Sequence, residues 1–135
     1  MKLRLEGNSI RLRVRKSDLI KLQKEGSIKE GLIFPNSLYF NYQLITDTNA
    51  ETIDAQLSAD ALTVSIPLSM AMNWLNSDAV GIEHTLNSGL FILIEKDFPC
   101  TDRPWEDTSD TFFELVNEKE ALCNDACMLQ LSKSF

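Results

Sequence analysis

Hydrophobic and polar positions alternate with a period of two through the first sixteen residues. Leu3, Leu5, Ile10, Leu12 and Val14 share one face, and Lys2, Arg4, Arg11, Arg13 and Arg15 the other, the pattern of two half-buried strands. Gly7-Asn8 lies between the two runs and predicts the turn of a tight hairpin. Ser17 and Asp18 then predict a helix start and Gly26 its stop, with Leu19, Ile20 and Leu22 turned toward the sheet. Strands are predicted over 28–34 and 38–45, joined at Pro35-Asn36. In the second of them Leu38, Phe40, Tyr42 and Leu44 alternate, which predicts one buried face. Residues 46–51 are polar and read as a link.

The same order then recurs. Ile53, Ala55 and Leu57 alternate in one strand and Leu62, Val64 and Ile66 in the next, which Pro67 closes. A short helix is predicted over 68–76 with Met72, Leu75 and Trp74 inward, followed by strands over 80–86 and 89–96 joined at Asn87-Ser88. The chain therefore reads as two ββαββ halves, 1–46 and 52–98, with Ser17 and Ser69 in equivalent places. The expected fold is one α+β, β-dominated domain over 1–98. Its eight mostly antiparallel strands would close into a barrel or curl into a folded sheet, because open edges must be hidden. Beyond it, Pro99, Pro104 and a run of Asp, Thr and Ser predict an irregular acidic loop. Phe112, Leu115, Val116, Leu122, Cys123, Ala126 and Leu129 predict an amphipathic C-terminal helix, so that 99–135 form a loop plus a helical tail.

Charge changes the picture. The chain of 135 residues has a net charge of −7, yet its first sixteen residues hold six basic side chains against Glu6. From Asp97 onward there are nine acidic and three basic residues. A globally acidic surface repels nucleic acid and anionic membrane, so neither is an expected partner. No apolar run approaches membrane-span length, and no secretory pattern opens the chain, which predicts a cytoplasmic protein. No protein partner is legible. Cys100, Cys123 and Cys127 are odd in number and fit reduced thiols better than a disulfide framework or a zinc site.

The basic face of the hairpin is the leading candidate site. Side chains two apart on a strand, and opposite on its mate, stand within a few ångströms. Lys2, Arg4, Arg11, Arg13 and Arg15 stacked in this way need relief from solvent, from Glu30, Glu83 or Glu95 on other strands, or from a bound anion. Guanidinium suits phosphate and carboxylate. Arg4, Arg11 and Arg13 with Glu83 and Glu95 are thus the ligand-binding candidates for a small anion. The second candidate is Glu95-Lys96-Asp97 at the end of the most apolar strand, where alternation puts one charge beside the apolar face. The simpler reading is a strand ending in charge as it leaves the core. His84 shares parity with Val80, Ile82 and Leu86, which fits a partly buried histidine. No residue set nominates a catalytic centre, a metal or a cofactor.

The string Lys2-x-Arg4-x-x-Gly7-Asn8-Ser9-Ile10-Arg11-Leu12-Arg13, with Ile94-Glu95-Lys96-Asp97-Phe98-x-Cys100 later, resembles an uncharacterised family of small bacterial proteins over roughly residues 1–110. That resemblance implies no activity. In architecture, duplicated strand-helix-strand units are also similar to the CYTH-like triphosphate tunnel fold. This second likeness implies a tunnel lined by Arg, Lys and Glu, and a metal-dependent hydrolase in which Glu6, Glu83 and Glu95 would hold the metal. The first strand of that family carries Glu-x-Glu-x-Lys; here it reads Lys2-Leu3-Arg4-Leu5-Glu6. The expectation is accordingly a non-catalytic binding or accessory protein. The alternatives are the hydrolase and an interaction module acting through the acidic C-terminal segment.

Overall fold

The computed structural model describes residues 1–97, 110–112 and 115. Strands β1 (Lys2–Glu6) and β2 (Ser9–Val14) form the opening hairpin, with Gly7 at a φ of 56°, the left-handed conformation its turn requires. Helix α1 (Lys16–Glu25) follows and ends at Gly26 in the left-handed region. Strands β3 (Ser27–Ile33), β4 (Tyr39–Asp47), β5 (Asp54–Leu57) and β6 (Ala61–Pro67) lead to helix α2 (Leu68–Leu75). Strands β7 (Gly81–Thr85) and β8 (Phe91–Lys96) complete the described elements. The ββαββ order thus occurs twice, as the alternation predicts.

The expected barrel or curled sheet is not what forms. The strands make two separate four-stranded sheets, ordered β1-β2-β8-β7 and β3-β4-β6-β5. Each takes one hairpin from each half of the chain, and the hairpins meet through parallel central pairs, β2 with β8 and β4 with β6. Both sheets are therefore mixed. The edges are handled without closure: β1 carries Lys2 and Arg4, β3 carries Lys29, and β5 and β7 are short. Both described helices lie within the halves, and the expected C-terminal helix falls outside the described residues apart from Phe112 and Leu115.

The registers expose an internal twofold relation. Val14 pairs with Lys96 as Ile66 pairs with Thr46, and Leu12 pairs with Ile94 as Val64 pairs with Leu44. Buried Ile10, Leu12 and Val14 thereby correspond to buried Leu62, Val64 and Ile66. In the helices, buried Leu19 and Leu22 correspond to buried Ala71 and Trp74, and Ser17 to Ser69. These side chains, with Ile28, Ile53 and Ile92, form one core shared by both sheets and both helices. Helical geometry corrects two inward assignments: Ile20 and Met72 are exposed, whereas Leu75 is half-buried and packs against the core. Leu38 is also exposed, since it precedes β4 at the tip of its hairpin.

Candidate functional site

Pairing sets the candidate residues on the outer face of the first sheet. Across it, one row reads Lys2, Arg13, Glu95, Gly81 and the next Arg4, Arg11, Leu93, Glu83. Arg4, Arg11, Arg13, Glu83 and Glu95 are therefore brought to one wall, although the two halves contribute them from opposite ends of the chain. Gly81 permits the close approach of β7: a Cβ there would lie 2.9 Å from the Ile94 carbonyl oxygen and 3.2 Å from the Glu95 Cβ.

The wall is largely neutralised from within. Glu95 Oε1 accepts hydrogen bonds from Arg11 Nη2 at 2.7 Å and Arg13 Nε at 2.9 Å. Arg4 pairs with Glu6 at 3.0 Å, and Lys2 Nζ lies 3.7 Å from Asp97 Oδ2. Of the acidic partners expected for the arginines, only Glu95 serves. Glu83 is exposed and pairs with none of the arginines, and Glu30 binds the Met1 ammonium elsewhere. Arg15 leaves the wall altogether, because it is the N-cap of α1. Arg11 and Arg13 keep side-chain exposures of 29% and 32%, and Arg11 Nε is buried without a partner.

The second candidate also takes shape. Glu95, Lys96 and Asp97 are all buried, unlike charges leaving a core. Lys96, not a carboxylate, is the one on the core face. Its Nζ donates to the Ser77 carbonyl at 2.6 Å and lies 5.7 Å and 5.3 Å from the Trp74 and Phe112 ring centres.

One cluster escapes sequence reading. The α-ammonium of Met1 lies 2.8 Å from Asp18 Oδ2 and 2.6 Å from Glu30 Oε1. Glu30 Oε2 accepts from the Tyr42 hydroxyl at 2.9 Å. Asp18 also accepts from the Arg15 backbone N–H at 2.9 Å, which sets the N-cap of α1 at Arg15, two residues before Ser17, the cap predicted from sequence. The twofold equivalents of Asp18, Glu30 and Tyr42 are Met70, His84 and Ile92, so this polar set belongs to one half only. Its signal was the facing of Glu30 and Tyr42 across β3 and β4, visible only once their register is known. Burial, reinforced by the Glu30 hydrogen bond and by the Glu30 and Asp18 charges, pushes the Tyr42 phenol from 10.0 up to about 12. An unfolded chain ionises this phenol near 10.0 while the folded chain resists to about 12. The stability it contributes is thus complete below pH 10 and is lost as pH rises through the folded value. Denaturation midpoints measured across that window should fall in the wild type, with the fall reduced in Tyr42→Phe.

The tunnel reading loses its frame, since no sheet closes and the wall is an outer sheet face. Among the described residues no group of three or more His, Cys, Asp or Glu side chains is placed to hold a metal. No described helix is long and apolar enough to cross a membrane. Cys100, Cys123 and Cys127, and most of the segment 99–135, lie outside the described residues. No curated protein and no solved structure matches the chain. A family model matches residues 1–115, and the chain therefore belongs to a family of unknown function, DUF7009.

Proposed function

We propose that this protein is a non-catalytic binding or accessory protein whose ligand-facing surface is the Arg11–Arg13–Glu95 wall, and that the ligand is a small phosphate- or carboxylate-bearing anion. The observation that supports this reading is the sharing of one carboxylate oxygen by two guanidinium groups. Glu95 fixes both side chains in place, while most of their N–H donors remain unused and about a third of each side chain faces water. Such a pair is positively charged and pre-organised, so an incoming anion does not have to order it. Arg4 and Lys2 flank the pair and Glu83 stands beside it, which disfavours ligands with a bulky negative flank on that side.

Pyrophosphate is the probe. It should raise the thermal midpoint of the wild type in a concentration-dependent way, as a ligand of the native state must. Arg11→Ala should abolish the rise. A panel of pyrophosphate, phosphate and citrate that leaves the midpoint unmoved at millimolar concentration would contradict the reading.

A further inference from the structure

The hairpin of β3 and β4 reaches two residues per strand further than that of β7 and β8. Both turn in the same way: Phe34 N–H donates to the Leu38 carbonyl as Leu86 N–H does to Leu90, and Ser37 and Gly89 both take a positive φ. In the shorter hairpin Leu86 and Leu90 pack against the core. In the longer one Phe34 and Leu38 stand exposed beyond it, together with Leu32, Ile33 and Tyr39; Ile33 is 88% exposed. Roughly 600 Å² of these five side chains faces water, so a symmetric pair of copies would cover about 1,200 Å², the lower end of specific interfaces. From Gly31 to Asn41 the sequence carries no charge. Two chains of net charge −7 can therefore meet here without setting like charges against each other.

The apolar tip lies on an open sheet edge, since β3 pairs only with β4 among the described residues. The Phe34 N–H and the Gly26 carbonyl both bond toward β4. Even-numbered residues of β3 thus turn their backbone groups inward, and Lys29, Gly31 and Ile33 turn theirs out. All three are exposed. An edge of this kind is a template for another strand.

We propose that the partner is a second copy of this chain, its β3 edge antiparallel to the first with Gly31 opposite Gly31. Lys29 then faces Ile33 of the second copy, its ammonium in water and its stem along the isoleucine. The neighbouring registers are worse. One sets Glu30 against Glu30, and the other sets Pro35, which has no N–H to give, against Lys29.

Sedimentation equilibrium of the full chain should show a dimer that dissociates on dilution. Ile33→Lys sets lysine against lysine at each end of the ladder, and should raise the dissociation constant about tenfold or more while circular dichroism stays native. Adding Lys29→Glu to it should restore the dimer, because opposite charges then face each other, a rescue that lost surface hydrophobicity alone would not allow. Leu57→Lys, on the other edge of the same sheet, should leave the dimer in place. A wild type still monomeric at about 200 µM, which would leave the tip to residues 116–135 or to another protein, would overturn the proposal. So would a dimer indifferent to Ile33→Lys, one that Lys29→Glu does not restore, or one weakened equally by Leu57→Lys.

Discussion

Residues 1–49 and 50–135, expressed separately, should each fail to fold, and expressed together they should assemble into a stable complex. Cutting between Asn49 and Ala50 falls in the link from β4 to β5, where Thr48 and Asn49 are exposed, and it spares buried Ile53. Each fragment then holds two hairpins, but the hairpins belong to different sheets. Alone, a fragment would leave β2 without β8 and β4 without β6, and isolated two-stranded ribbons are marginal in water. Together, the fragments restore both central parallel pairs and the single core that Leu12, Ile94, Leu44 and Val64 build. Co-purification of an untagged fragment with its tagged partner, with native circular dichroism, checks this. A fragment that folds alone with a cooperative transition would contradict it.

Glu95→Gln should destabilise the protein by about 2 kcal/mol. Removing one partner of a buried ion pair costs about 3–5 kcal/mol, and the arginines here are partly exposed, so solvent softens the loss. The substitution leaves two guanidinium groups without their shared anion, and Arg4 and Lys2 face them across the hairpin. Repulsion among these four charges adds to the lost hydrogen bonds. Combining Glu95→Gln with Arg13→Gln should recover part of the loss, a coupling that a double-mutant cycle in urea reads directly. A change under about 0.5 kcal/mol for the single substitution would place Glu95 outside the forces that hold this sheet.

Much of this architecture is legible in the chain, and the part that is not has a definite physical cause. Strict alternation from Lys2 to Arg15 gives the hairpin, its basic face and the Gly7 turn, because strand periodicity is local. The repeated ββαββ order is legible for the same reason. Alternation does not say which hairpin lies beside which. Leu12 reads identically whether its neighbour is a strand of its own half or Ile94, some eighty residues away. The pressure to hide edges pointed to closure, but basic residues and short edge strands meet it as well.

The candidate wall divides in the same way. Arg4, Arg11 and Arg13 share a face by parity alone, and Glu95 is legible as a possible partner. That one oxygen of Glu95 serves two arginines depends on the parallel register of β2 with β8. The Asp18–Glu30–Tyr42 cluster is invisible in sequence because its members come from α1, β3 and β4 and carry no common motif.

Interlocking of the halves underlies both the arginine wall and the twofold comparison. Interstrand nuclear Overhauser effects in the isotope-labelled full chain test it most directly. Backbone cross-peaks between the residues flanking Leu12 and Ile94, and between those flanking Leu44 and Val64, are the predicted result. Cross-peaks linking β2 to β3 or β4 in their place would mean that each half closes on itself, and would contradict the account.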